Sequence, residues 1–91
     1  MTRSATLLIR NRLGLHARPA ALFVQAANRF QSEIFVRKGR SEVSGKSIMG
    51  IMTLAAGRGA QIKIRATGSD AAQALACLKK LVRDEFGEPS R

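Results

Sequence analysis

The chain contains no tryptophan and no tyrosine, and only four phenylalanines among its 91 residues. Modules that bind nucleic acid usually stack bases on aromatic side chains or gather their charge on one basic helix. A nucleic-acid reader therefore starts with little support. A single cysteine, Cys77, leaves no internal disulfide to form, which suits a reducing compartment. It lies in an amphipathic stretch and reads as a small packing residue. No apolar run approaches the roughly 20 residues that cross a bilayer, and the start, Met1-Thr2-Arg3-Ser4, lacks the character of a secretory signal. A soluble, cytoplasmic chain without membrane insertion is expected. Acidic residues are scarce as well: six against 16 Lys and Arg, a net charge of +10. Such a field favours anionic partners. The cations are nevertheless spread, from Arg3, Arg10 and Arg12 through Arg37, Lys38 and Arg40 to Lys79, Lys80 and Arg83.

Histidine occurs once, in Asn11-Arg12-Leu13-Gly14-Leu15-His16-Ala17-Arg18-Pro19-Ala20. A strand-like run precedes this segment and an Ala-rich helical run follows it, which sets His16 at the junction of a loop and a helix start. The first N–H groups of a helix have no internal partners, and the macrodipole adds positive partial charge there. A phosphate held on the ring would meet waiting donors. The same field works against an imidazolium and favours a neutral, nucleophilic ring. Arg18 adds a guanidinium whose fork matches phosphate oxygens. Pro19 presets a helical backbone angle where its missing N–H costs nothing. Gly14 permits an unusual loop conformation just ahead of the ring. By position alone, a lone histidine near a helix start is more often a surface or capping residue; these neighbours tilt the reading toward phosphoryl chemistry.

A second segment, Lys46-Ser47-Ile48-Met49-Gly50-Ile51-Met52-Thr53-Leu54, follows the same plan. Ser47 precedes a short run with helical spacing and is a natural N-cap. Capping alone would explain it, although a phosphate would also suit the position. At about 100° per residue the helix has two apolar faces. Ile51, Leu54 and Ala55 read as core. Ile48, Met49 and Met52 read as an exposed, adaptable docking surface.

The spacing predicts a strand at about 3–9, with Ala5, Leu7 and Ile9 on one face. A helix at about 17–28 buries Ala20, Phe23, Val24 and Ala27. A hairpin follows, with strands at about 32–37 and 41–43 around Gly39. Ile34 and Val36 point inward, and Phe35 points to the other face. After the helix at 47–54, Gly57 and Gly59 break the chain. A strand at about 60–66 turns Ile62, Ile64 and Ala66 inward and Gln61, Lys63 and Arg65 outward. Asp70 is expected to cap a last helix with Gln73 as its reciprocal partner. Leu75, Leu78, Val82 and Phe86 form its buried stripe, and Gly87 and Pro89 end it, leaving a loose tail. The expected architecture is α+β: an open-faced β-sandwich of order βαββαβα, its four-stranded antiparallel sheet covered on one face by three helices. One domain is expected over residues 1–91, with its core at about 4–88.

Taken together, these residues resemble the histidine-containing phosphocarrier (HPr) family of the phosphoenolpyruvate-dependent sugar phosphotransferase system. Leu15-His16-Ala17-Arg18-Pro19-Ala20 is similar to the family's phosphorylated-histidine motif, and Lys46-Ser47-Ile48-Met49-Gly50 to its regulatory serine segment. The likeness extends over about residues 4–88. It implies that His16 accepts a phosphoryl group on Nδ1 from phosphorylated enzyme I. The group would then pass to an enzyme II component, such as an enzyme IIA. Arg18 would neutralise the group, and the backbone N–H groups of Ala17 and Arg18 would hold it. Ser47 would be the target of HPr kinase/phosphorylase, and Ile48, Met49 and Met52 would dock partners. The resemblance further implies a monomeric, stoichiometric carrier that is not an enzyme and needs no metal or cofactor.

One departure is electrostatic, since members of the family are typically closer to neutral or acidic. The serine segment fits the sugar branch, but the nitrogen-regulatory paralogues share the histidine motif. A relative working only through Ser47 and a small basic nucleic-acid module are the remaining alternatives.

Overall fold

The computed structural model describes residues 1–88. Strand β1 (Thr2–Leu8) leads through a loop to helix α1 (Ala17–Ala27). Strands β2 (Glu33–Lys38) and β3 (Ser41–Ser44) form a hairpin that turns at Gly39, where φ is +59°. Helix α2 (Ile48–Thr53), strand β4 (Gln61–Thr67) and helix α3 (Ala71–Arg83) complete the βαββαβα order. The strands lie in one antiparallel sheet in the order β1-β4-β2-β3. The last strand in sequence thus sits between the first and the second. Its alternation makes this possible: Ile62, Ile64 and Ala66 bury completely under the helices, while Gln61 faces out.

Period-2 patterning puts one side of each strand into the core. Ile34 and Val36 of β2 join the β4 residues there, and Ala20, Phe23, Val24 and Ala27 of α1 close over them. Helix α3 contributes Ala71, Ala74, Leu75, Leu78 and Val82. Ile9 lies just past the end of β1 and is nevertheless buried, because its backbone bonds to the turn before β4: its N–H donates to Ala60 O, and its carbonyl accepts from Gly59 N–H. On the open face Phe35 is half-buried, and the Arg65 guanidinium lies 4.8 Å from its ring centroid. Arg65 also donates to Glu42 Oε1 at 3.1 Å. That cover explains how an apolar ring sits on the wet side of the sheet. Among the described residues no helix is long and apolar enough to cross a membrane.

Three sequence expectations change in detail. Asp70 occupies the N-cap position of α3 but makes no side-chain capping bond, so the box with Gln73 does not form. Its carboxylate instead accepts from the Gln31 N–H, the Ser32 N–H and the Ser32 hydroxyl. Three donors from one loop outcompete a single capping N–H. Gly68 makes the approach possible, since a Cβ there would lie 2.6 Å from Ser32 Oγ. Ala55 is exposed, with φ +51°, just beyond the end of α2, and so does not join Ile51 and Leu54 in the core. Phe86 is buried, but it lies beyond the end of α3, in a short 3-10 segment (Glu85–Gly87) where its own φ is +55°. The expected stop at Pro89 and the loose tail fall outside the described residues.

The Asp70 anchor carries a pH dependence. The Ser32 hydroxyl, and then the Gln31 N–H, hold the carboxyl below its ordinary value. A depressed folded-state value stabilises the fold above the ordinary carboxylate range and loses that effect as pH falls. Asp70→Asn should therefore lower the melting temperature at about pH 7, and the gap to the parent chain should close as pH drops below about 4. Circular-dichroism melts across that range test it, and a gap that persists undiminished at low pH would contradict it.

Candidate functional site

His16 is the N-cap residue of α1, with extended backbone angles (φ −76°, ψ −173°). Its carbonyl accepts the Ala20 N–H at 2.9 Å, closing the first helical turn. The ring itself makes no capping bond. Pro19 has no N–H, and Ala20 is already bonded, so the donors at this helix end without a partner among the described residues are the backbone N–H groups of Ala17 and Arg18. Arg18 is exposed in the same turn. An anion at the ring would meet two free N–H groups and the positive end of an 11-residue helix.

The ring is held from the far end of the described chain. Its side chain is 34% exposed, and its Nε2 lies 3.4 Å from Oε1 and 3.2 Å from Oε2 of Glu88. The same Oε1 accepts from Asn11 Nδ2 at 3.0 Å. Asn11 is fully buried, and its Nδ2 also donates to the Gly14 carbonyl at 2.8 Å. Neither Asn11 nor Glu88 is singled out by the sequence. Glu88 stands 72 residues from His16, and no spacing rule joins them. An asparagine five positions ahead of the histidine carries no motif of its own. The positive helix end and the Glu88 carboxylate act on the ring with opposite sign, so the helix field expected from the sequence is only half of its electrostatic setting.

Gly14 locks this loop onto the segment after α2. The Leu15 N–H donates to Ala56 O at 2.9 Å. A Cβ on Gly14, whose φ is +67°, would collide with that same oxygen. The junction makes one shallow depression from two distant segments, its walls including His16, Leu13, Met52 and Ala55. Ala55 holds a left-handed backbone conformation, which costs a residue with a Cβ about 1 kcal/mol. Lys38 Nζ donates to the Ala55 carbonyl at 3.1 Å.

Helix α2 stands beside this depression. Ser47 caps it as expected, Oγ accepting the Gly50 N–H at 2.9 Å. Gly50 is needed there because a Cβ would press within 3.2 Å of both Ser47 Oγ and Val43. Ile51 and Leu54 are buried, while Ile48, Met49 and Met52 are exposed, Met49 by 73%. Leu13, 66% exposed, is an apolar neighbour that the sequence pattern does not flag. Lys46 does not reach toward Ser47: its Nζ donates to the Phe30 carbonyl at 2.7 Å, near the end of α1. The two segments that meet here, 10–18 and 46–58, contain Arg10, Arg12, Arg18, Lys46 and Arg58 and no Asp or Glu.

A family described as the PTS HPr component phosphorylation site matches residues 3–84. The chain belongs to the HPr family. The phosphocarrier protein HPr of Neisseria meningitidis is 49% identical over 78 residues, covering 86% of this chain and 88% of that one. The HPr of Treponema pallidum is 45% identical over 83 residues, 91% and 94% of the two chains. The HPr-like protein Crh of Bacillus subtilis is 48% identical over 77 residues, 85% and 91% of the two. Among solved structures, an HPr from Thermoanaerobacter tengcongensis superposes with a TM-score of 0.93 at 47% identity, over 96% of this chain and 98% of that one. Another structure of HPr from that organism is a dimer, with a TM-score of 0.77. The chain therefore falls among phosphocarriers of the phosphotransferase system.

Gly14→Ala tests the junction. The substitution would meet both the clash at Ala56 and the left-handed φ, at a cost of about 2 kcal/mol or more. Urea unfolding should show the loss as a lower midpoint at unchanged slope.

Proposed function

We propose that this chain is a stoichiometric phosphoryl carrier whose acceptor is Nδ1 of His16. The observation that supports it best is the ring's place at the opening of α1, beside two unpaired N–H groups and exposed Arg18. In the transfer, the Nδ1 lone pair attacks phosphorus held on the donor histidine of enzyme I. A new N–P bond forms as the donor's N–P bond breaks, and the donor ring keeps that electron pair. The step needs alignment and charge neutralisation and little covalent work by the protein. Arg18 and the Ala17 and Arg18 N–H groups supply the neutralisation. The reverse logic passes the group on to an enzyme II component such as enzyme IIA. The chain takes up one phosphoryl group and hands it on between other proteins, with no substrate turnover of its own, so it acts as a stoichiometric relay and not as an enzyme. A monomer in the cytoplasm, free of cofactors, suits this role.

Ile48, Met49 and Met52 act as the contact surface for these partners, with Leu13 extending it across the depression. The acid-free segments around them suit partners with acidic surfaces. Ser47 is the regulatory site: a kinase of the HPr kinase/phosphorylase type would add a phosphate at the start of α2, and its charge would stand beside the apolar contact surface.

Incubation with enzyme I and labelled phosphoenolpyruvate tests the central claim. Acid-labile label should appear on the parent chain and be absent from His16→Ala, whereas Arg18→Ala should slow labelling by about tenfold or more. Label retained by His16→Ala would end the proposal. Ser47 is tested separately with ATP and HPr kinase; acid-stable label should vanish in Ser47→Ala, and its persistence there would remove this serine from the scheme.

A further inference from the structure

We infer that Asn11 and Glu88 are positioning residues that set which nitrogen of His16 is free to react. The inference rests on the phosphocarrier reading only for the meaning of that nitrogen; the geometry stands without it. Asn11 is a buried amide, and its Nδ2 faces two acceptors: the Gly14 carbonyl and a Glu88 carboxylate oxygen. Rotating the amide by half a turn would set its oxygen against two other oxygens, so the amide nitrogen must face them. Asn11 Oδ1 is then left buried without a hydrogen-bond partner among the described residues. Leaving an amide oxygen unpaired is unfavourable. The loop accepts that cost while it anchors a carboxylate that arrives from the opposite end of the described chain.

An ionised carboxylate only accepts hydrogen bonds. With both Glu88 oxygens within 3.4 Å of Nε2, the ring must present Nε2–H toward them. In the neutral imidazole the other nitrogen then carries the lone pair. Nδ1 has no hydrogen-bond partner among the described residues, so that lone pair is open to attack an electrophile. The arrangement follows the general rule that a carboxylate bonded to one ring nitrogen fixes both tautomer and orientation for the other. Here the carboxylate is in turn held by a buried amide, so its place does not depend on the mobility of one side chain.

Long-range ¹H–¹⁵N spectra of the unphosphorylated chain read the tautomer directly. The parent chain should show Nε2–H as the dominant neutral form. Glu88→Ala removes only the carboxylate, and a melt confirms that the fold persists; the Nδ1–H form should rise several-fold in population. Phosphoryl uptake from enzyme I should slow by about tenfold, the lower end of what loss of such an orienting partner costs. Glu88→Gln, whose amide oxygen still accepts, should restore the tautomer and most of the rate. Asn11→Ala should shift the tautomer in the same direction as Glu88→Ala. Identical tautomer populations in the parent chain and Glu88→Ala would overturn the inference, as would a parent chain that holds mainly Nδ1–H. Failure of enzyme I to label the parent chain would instead count against the phosphocarrier reading and leave the tautomer result to decide this one.

Discussion

The loop before His16 and the segment after α2 meet backbone to backbone, and the rest of the site depends on that approach. It exists because Gly14 has no Cβ to strike the Ala56 carbonyl and because the Leu15 N–H bonds to the same oxygen. Without it, the ring at the opening of α1 and the exposed face of α2 would belong to separate surfaces. With it, Leu13, His16 and Met52 line one depression. A further cost, the left-handed conformation of Ala55, is tolerated on the same rim. Strain at such a point persists only where surrounding structure enforces it.

The sheet supplies the rigidity behind this junction. Because β4 lies between β1 and β2, the segment that precedes it is drawn back across the sheet toward the end of β1. The paired bonds of Ile9 with Gly59 and Ala60 carry that link into the loop that leads to His16. The chain's charge is arranged around the same architecture. The segments that meet at the site bear cations and no acids, while Glu33 and Glu42 lie on β2 and β3. Glu88 is the exception, and it is brought to the one imidazole.

Much of the fold was legible in residue pattern. The alternation of Ile62, Ile64 and Ala66 and the helical stripe of Ala20, Phe23, Val24 and Ala27 each depend on local periodicity, which burial then follows. Ser47 as a cap and Ile48, Met49 and Met52 as exposed residues were legible for the same reason, since a short helix cannot bury two faces against one neighbour. Asp70 departs from its expected role because capping rules see only the residues that follow it. Its three donors come from a loop some 38 residues earlier in the chain.

By itself, the sequence determined the elements, their buried faces, and the placement of a lone histidine before a helix with Arg18 in its first turn. These are local matters, settled by spacing, backbone preference and the missing donor of Pro19. The tertiary structure alone decided that Glu88, itself held by buried Asn11, meets that ring, and that Leu13 and Met52 share its surroundings. Contacts between residues far apart in the chain are set by where the packed sheet leaves the loop ends, and no periodicity records that.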